Sequence, residues 1–451
     1  MKKIKDNFSL LINGFKDGDK NTRLSYLVMG AGSFLRGQIG RGLAYLSVQV
    51  GILVYLFISG FDRIKGLATL GTVEQGRVFD ESRGIYIYSQ GDNSMLFLLF
   101  GVLAVILIIV LIGVYIANIK NAIANQKLLE SGEALPTFRE DVKDLLDNKY
   151  HISILSLPTL TTAIFTILPL IFMILIAFTN FDQNHQPPGN LFTWVGLKNF
   201  QDLFYNNRLI SGTFFALLRW TFIWAFFATF LNYLFGMMLA MLINYKEIKY
   251  KKMWRTVFVI TIAIPQFVSL LLMSQLLSDY GGVNVIITSL GFERIKFLSD
   301  PTLAKITVIV VNLWVGVPYS MLITSGILMN IPRDMYESAK IDGAGPVVQF
   351  FKITLPYMLS VTGPYLITQF VGNLNNFNVI YLLTGGGPIT LNYFQAGHTD
   401  LLVTWLYKLT VTEKNYAMAS SLGIIIFVIT ATLSLVVFRK VTAEDKEGAF
   451  Q

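Results

Sequence analysis

Eight apolar segments constrain this chain more than any other feature of its sequence. Each is close to the roughly 20 residues that an α-helix needs to cross the hydrocarbon layer of a membrane. The segments are 42–60, 95–117, 157–178, 220–243, 257–277, 306–329, 357–383 and 417–438. None alternates apolar and polar residues as the strands of a membrane barrel do. We therefore predict an all-α membrane protein with eight transmembrane helices.

The composition supports a membrane protein and excludes several other classes. Of 451 residues, 53% are hydrophobic and only 14% are charged, which is too little polar surface for a soluble protein of this size. The net charge of +8 comes from basic residues scattered between the apolar segments, so they form no stripe for a nucleic acid. The absence of cysteine excludes disulfides, thiol catalysis and cysteine-ligated metals.

The distribution of Lys and Arg predicts the orientation. With the N-terminus in the cytoplasm, the inner connections and termini hold 23 of these residues and the outer connections hold 10. We therefore expect both termini inside. The predicted divisions are a cytoplasmic leader (1–36), two additional helices with an external loop (37–117), a cytoplasmic connection (118–156), a transmembrane domain (157–438) with a cytoplasmic loop at 330–356, and a cytoplasmic tail (439–451). The leader lacks a signal-peptide cleavage pattern, and its apolar spacing fits either a helix on the inner membrane face or a disordered tail.

Polar residues in the sixth and seventh segments mark a candidate site. In the seventh, Thr362, Gln369, Asn373 and Asn376 fall within one narrow helical arc. In the sixth, Asn312, Gly316 and Tyr319 share a helical face. Amides and a tyrosine ring suit a path for a hydroxyl-rich molecule. The same residue types are equally common where membrane helices pack together, so both interpretations remain open.

The stretch YESAKIDGAGPVVQFFKITLP, residues 336–356, lies between the same two segments. The topology places it in the cytoplasm. Its glycines and prolines predict a short helix ending at the Gly343–Pro346 turn and a second short helix stopped by Pro356. Its small residues allow close approach of another protein. An interfacial amphipathic loop is the alternative.

This stretch resembles the EAA motif of binding-protein-dependent ABC importers, the cytoplasmic loop that docks into a separate ATPase subunit. Only Ser338 departs from the pattern, where a serine replaces the first alanine. The resemblance implies an ATPase-coupling role for Glu337, Ser338, Ala339, Asp342, Gly343, Ala344, Ile353, Leu355 and Pro356.

Four further stretches are similar to the MalF-type permeases of maltose and maltodextrin transporters. They are WVGLKNFQDLF, NLWVGVPYSMLI, NNFNVIYLLTGGGP and AGHTDLLVTWLY. The resemblance implies a six-helix type I importer core formed by helices 3–8, and a cargo of maltose or maltodextrin. It also implies substrate contacts from Asn312, Val315, Gly316, Tyr319, Gln369, Asn373 and Asn376.

The same resemblance implies partners in the bacterial cell membrane. They are a second, MalG-type permease subunit, a dimeric ABC ATPase that binds ATP and magnesium, and an extracellular sugar-binding lipoprotein. The chain itself has no phosphate-binding loop, no metal-ligand spacing and no catalytic arrangement, so we expect a transport subunit without bound cofactor rather than an enzyme. The alternatives are an ABC permease for another sugar or small polar solute and, from another class, an ion-coupled transporter. The latter predicts charged residues inside the spans, and the middle of these spans has essentially none.

Overall fold

The computed structural model describes residues 9, 11–245 and 247–448, and nearly all of its regular structure is helical. The chain divides into two compact units, Met1–Val195 and Gly196–Gln451. The first unit contains α1 (Lys20–Leu27), α2 (Ala31–Leu35), α3 (Ile39–Tyr55), α4 (Phe61–Thr69), strands β1 (Gly76–Asp80) and β2 (Ile85–Ser89), α5 (Ser94–Glu130), α6 (Phe138–Leu146), α7 (Tyr150–Thr162) and α8 (Leu168–Ile176). Single π-helical turns, Leu56–Gly60 and Ala163–Ile167, join α3 to α4 and α7 to α8.

The second unit begins with the short α9 (Lys198–Gln201) and is built around long helices. They and their connecting helices are α10 (Arg208–Asn244), α11 (Lys251–Ala263), α12 (Gln266–Leu276), α13 (Gly282–Ser289), α14 (Pro301–Leu328), α15 (Arg333–Ile341), α16 (Pro346–Gln349), α17 (Leu355–Leu374), α18 (Phe377–Thr384), α19 (Leu402–Tyr407) and α20 (Tyr416–Gly448).

Six helices of the described chain are long and apolar enough to cross a membrane, and a bent pair brings the number to seven. These helices coincide with seven of the eight predicted segments. The remaining segment, 357–383, is divided between α17 and α18. Eight spans and two cytoplasmic termini therefore remain predictions, whereas the helical membrane fold is confirmed.

The bent pair is α11 and α12, whose axes meet at 86°. Pro265 has no N–H to continue the helix, and its ring disfavours a helical conformation at the residue before it. Ile264 accordingly has φ −77° and ψ 124°, which is extended. The sequence run 257–277 predicted one continuous helix here, and the structure corrects that to a broken one.

The seventh segment breaks just after Leu374. Asn376 has the extended conformation of an N-cap, and its side chain accepts a hydrogen bond from the N–H of Val379 in the first turn of α18. The prediction that Asn376 continues the helical arc of Thr362 and Asn373 was therefore wrong. Asn amides compete with the helical backbone for hydrogen bonds, so paired asparagines favour such a break.

The described part of the leader is folded against the end of α5. The Asn118 side chain donates to Ser25 O at 2.9 Å and accepts from Gly30 N–H at 2.9 Å. The Arg36 guanidinium donates to the carboxylate of Asp19 at 2.7 Å and to the carbonyl of Ala122 at 2.8 Å. Residues 20–35 are thus folded onto α5, because polar side chains of α5 bind this part of the leader through its backbone. The apolar spacing of the leader lies within residues 4–15, of which 4–8 and 10 lie outside the described residues, so a helix on the membrane face and a disordered tail remain predictions for that stretch.

We expect Arg36→Ala to loosen the leader, because the buried guanidinium holds α1, α2 and α5 together. Loss of these charge-assisted bonds costs about 2 kcal/mol of local stability. Hydrogen exchange of the full chain should show faster exchange in residues 20–35. Lys20→Ala, an exposed change in α1, serves as the control, and equal exchange in both variants would contradict the role given to Arg36.

Candidate transport site and coupling loop

Helices α10 and α14 run in the same direction and pack closely along their length. Gly236 lies against Ser320, and Gly316 lies against the amide of Asn232. A Cβ on Gly236 would be 2.5 Å from the Cβ of Ser320, and a Cβ on Gly316 would be 2.1 Å from Nδ2 of Asn232. Both glycines are therefore needed for the approach of the two helices, as small residues often are in membranes.

Helix α17 is fastened to the same α10 by polar contacts. The hydroxyl groups of Tyr233 and Thr362 are 2.8 Å apart. Asn373 donates from Nδ2 to Oγ1 of Thr229 at 3.0 Å, and its backbone carbonyl accepts from Nε1 of Trp224 at 3.1 Å. Helix α10 thus positions both helices that carry the predicted polar residues.

The residues predicted on α14 differ in accessibility. Asn312 is only 4% exposed, and its Nδ2 has no hydrogen-bond partner in the described chain. Val315 packs on the apolar core that contains Trp224. Gly316 is covered on one side by Asn232, whereas Tyr319 is 48% exposed, with its ring centroid 6.4 Å from that of Tyr365. Tyr319 is the most open side chain of this group.

Of the residues predicted to bind substrate after Pro356, two lie in contact with each other. Asn376 donates to Oδ1 of Asn373 at 3.2 Å, so these two amides form a pair although they lie on different helices. Gln369 is half-buried. Thr362 is 1% exposed and bonded to α10, which fits the packing interpretation for that residue.

Sequence reasoning missed the residues of α10. Trp224, Thr229 and Tyr233 hold α17, and Asn232 faces Gly316. A signal was present, because Asn232 is an amide inside an apolar segment, where polar side chains are costly. However, the spacing of residues along the sequence does not tell which helix Asn232 packs against.

The predicted coupling loop projects its acidic residues outward. Helix α15 carries Glu337 and Ser338 exposed on its surface and Ala339 half-buried. Asp342 ends the helix, and Gly343 follows with φ +82°, a left-handed conformation that favours glycine.

The loop is anchored by contacts on its other side. The hydroxyl groups of Tyr336 and Thr354 are 2.9 Å apart, and Gln349 donates to the carbonyl oxygen of Ala344 at 2.9 Å. Ile353 and Leu355 pack on an apolar core with Met358 and Ile331 at its centre. The loop therefore has an inner face that fixes it and an outer face that is free in this chain.

Pro356 does not end the second short helix as predicted. Residues Phe350–Thr354 form a π-helical turn that leads directly into α17, where Pro356 is the second residue. The first turn of a helix tolerates proline because its N–H groups have no helical partner. Motion of the loop is thus connected to α17 without an intervening flexible linker.

Comparison with known proteins identifies the family. Residues 232–445 match the model for the binding-protein-dependent transport system inner membrane component. The chain is 34% identical to the maltodextrin transport system permease protein MalC of Streptococcus pneumoniae, over 97% of this chain and 99% of that one. It is also 34% identical to the galactooligosaccharides transport system permease protein GanP of Bacillus subtilis, over 94% and 97% of the two chains.

The chain belongs to the MalF-type sugar permeases of ABC importers. The maltose/maltodextrin transport system permease protein MalF of Escherichia coli is 35% identical over 57% of this chain and 51% of its own length. Among solved structures, a bacterial ABC transporter involved in the import of the acidic polysaccharide alginate matches 67% of this chain and 98% of its own, with a TM-score of 0.53 and 23% identity, which supports the fold. The permease is a multi-pass protein of the cytoplasmic membrane.

In this permease, a buried ion pair shapes the segment after α18. Asp400 is fully buried, and its carboxylate accepts from Gly397 N–H at 2.7 Å, from the Thr404 hydroxyl at 2.8 Å and from the Lys408 ammonium at 2.5 Å. A Cβ on Gly386, which has φ +81°, would lie 1.8 Å from Oδ1 of Asp400. The glycines of TGGGP and the aspartate of AGHTDLL therefore belong to one folded loop.

The same loop is tied to α10, at a point where α14 also contacts α10. Trp220 Nε1 donates to the carbonyl of Thr399 at 3.1 Å, and the ammonium of Lys305 lies 5.0 Å from the Trp220 ring centroid. Burial lowers the pKa of His398, and the nearby charge of Lys305 lowers it further. Across the described residues, no three acidic or histidine side chains come together as a metal site.

We expect Gly236→Ala to destabilise the permease, because the new methyl group meets both the Ser320 side chain and the backbone N of Met321, which is 2.8 Å away. Overpacking of this kind costs about 1–3 kcal/mol. Thermal unfolding of the purified complex should show a lower midpoint. The matched control is Gly326→Ala on α14, where a Cβ meets nothing within 4 Å; an equal midpoint shift in both variants would exclude close packing as the cause.

Proposed function

We propose that this permease imports maltose or maltodextrin-type oligosaccharides, and that ATP hydrolysis on a separate subunit drives the transport. The observation that carries the proposal is the 34% identity to a maltodextrin permease over 97% of the chain. Polar side chains on α14 and on the α17–α18 segment, supported by α10, provide hydrogen-bonding groups without charge. Such groups suit a neutral, hydroxyl-rich cargo.

In this proposal, Tyr319 stacks on the apolar face of a sugar ring, and the amides of Asn312, Gln369, Asn373 and Asn376 bind its hydroxyl groups. Val315 and Gly316 shape the wall beside them. The exposure of Tyr319 supports its contact with cargo. Asn373 and Asn376 are bonded to each other, so a sugar competes with an existing hydrogen bond, which favours selectivity over tight binding.

The coupling loop is the proposed point of force transfer. Glu337 and Asp342 are exposed on a short, anchored helix, as expected for docking into the cleft of an ATPase. ATP and magnesium bind to that ATPase dimer, and this chain supplies no nucleotide site. Docking transmits free energy because the ATPase has different affinities for the two conformations of the permease.

The remaining partners proposed are a MalG-type second permease and an extracellular sugar-binding lipoprotein. A solved relative of the fold is an alginate transporter in complex with an alginate-bound periplasmic protein. The short external loops and the folded 385–401 segment offer the docking surface for such a protein.

A galacto-oligosaccharide is the second candidate cargo. The permease GanP has the same 34% identity to this chain as the maltodextrin permease MalC. Uptake of maltotriose and of a galacto-oligosaccharide by the same reconstituted transporter distinguishes the two candidates.

We expect Glu337→Lys to uncouple transport, because reversing a charge at a docking surface places like or unpaired charges against the partner. Sugar uptake and sugar-stimulated ATP hydrolysis should fall at least about tenfold. The permease should still insert, since Glu337 is exposed. Glu133→Lys, an exposed reversal outside the loop, is the control, and normal uptake by the Glu337 variant would argue strongly against docking there.

We expect Tyr319→Leu to reduce maltodextrin uptake about tenfold, because it removes the ring that would stack on the sugar. Trp314→Leu on the same helix removes an aromatic ring that is 54% exposed, and it should change uptake little. Measuring uptake in proteoliposomes compares the two directly. Similar losses in both would indicate a general effect on α14 rather than a sugar contact.

A further inference from the structure

Two buried amide atoms, one on α10 and one on α14, have no hydrogen-bond partner in the described chain. One is Oδ1 of Asn232, an acceptor, and the other is Nδ2 of Asn312, a donor. A buried polar atom without a partner costs about 1–3 kcal/mol, so such atoms are uncommon in stable structures. The two atoms without partners are complementary, since one accepts a hydrogen bond and the other donates one.

The helix contacts place the two amides about one helical turn apart. The Asn232 side chain lies directly against Gly316, and Asn312 is one turn before Gly316 on the same helix. One turn corresponds to about 5.4 Å along the axis. Two hydrogen bonds in series through one oxygen atom span about 5.6 Å. A single oxygen atom that both donates and accepts therefore matches the spacing of one helical turn.

A sugar hydroxyl has the required chemistry. It donates one hydrogen bond, which suits Oδ1 of Asn232, and it accepts others, which suits Nδ2 of Asn312. A carboxylate cannot donate, and an ammonium group cannot accept. An unpaired acceptor and an unpaired donor together therefore favour a hydroxyl over a charged group.

Gly316 makes this arrangement possible. Any side chain there would occupy the position of the Asn232 amide, because its Cβ would be 2.1 Å from Nδ2 and 2.4 Å from Cγ. The absence of a side chain at Gly316 thus lets the Asn232 side chain of α10 contact α14. Its contribution to the site is the space that it leaves for Asn232.

We propose that Asn232 is a specificity-determining residue of the sugar path, and that its Oδ1 and Asn312 Nδ2 together bind one hydroxyl group of the cargo. This inference rests on the proposed function, because it requires a sugar in the path. It adds a third helix, α10, to the residues predicted on α14 and α17.

The test measures uptake by the complete transporter in proteoliposomes. The probes are the sugar that the wild type takes up, maltotriose or a galacto-trisaccharide, and a series of its analogues that each lack one hydroxyl. Asn232→Leu should lower uptake of the parent sugar about 3- to 10-fold. It should leave uptake of one analogue unchanged, since that analogue already lacks the hydroxyl concerned, so discrimination at that one position is lost.

Thermal stability separates this role from a structural one. Removing an unpaired buried oxygen should leave the midpoint of sugar-free unfolding unchanged or raise it. The matched control is Asn244→Leu on the same helix, because the Asn244 amide donates to Ala240 O at 2.9 Å and to Ser325 Oγ at 3.0 Å. That change should lower the midpoint and preserve discrimination among the analogues.

Two results overturn the proposal. One is unchanged discrimination at every hydroxyl by Asn232→Leu. The other is a fall in the midpoint as large as that of Asn244→Leu, which indicates a bound water or a packing role. If Asn232→Leu does not assemble, Asn232→Ala is measured in the same way, and failure of both to assemble also overturns it. Uptake of neither sugar by the wild type instead rejects the proposed function, and this inference with it.

Discussion

The close contact between α10 and α14 is the interaction on which the second unit depends. Gly236 and Gly316 allow the two helices to approach until side chains of one touch the backbone or amides of the other. Without a hydrophobic driving force between helices in lipid, such packing and the hydrogen bonds beside it provide the stability. Because α10 also holds α17 through Thr229 and Tyr233, one helix fixes both walls of the proposed path.

Buried polar groups in the second unit are of two kinds, those with hydrogen-bond partners and those without. Some are satisfied within the chain, as with the Asp400 carboxylate and its three donors, and these fix the 385–401 loop. Others, Oδ1 of Asn232 and Nδ2 of Asn312 among them, have no hydrogen-bond partner among the residues that the structure describes. A buried unpaired group is costly, so the two amide atoms are the ones for which we proposed a hydroxyl group of the cargo as partner.

The coupling loop is connected to the proposed site through the helix α17. Its outer face carries Glu337, its inner face packs through Ile353 and Leu355, and the π-helical turn runs on into α17. A displacement of the loop therefore acts on a rigid helix rather than on a flexible connection. In the proposed mechanism, this continuity is the route by which a displacement at Glu337 reaches Asn373.

The sequence by itself determined the membrane-helical class, the positions of six long apolar helices and the motifs of the coupling loop, because apolar length and residue identity are local properties. It also located polar residues on two neighbouring segments. It did not reveal the break at Asn375, since a break depends on side chains capping the next helix, nor the folded leader, whose bonds to Asn118 cross 93 and 88 positions of the chain. Only the tertiary structure decided that Asn232 meets Gly316 and that Asp400 meets Lys408 and Gly386, because contacts between distant segments depend on how helices pack and leave no periodic trace in the sequence.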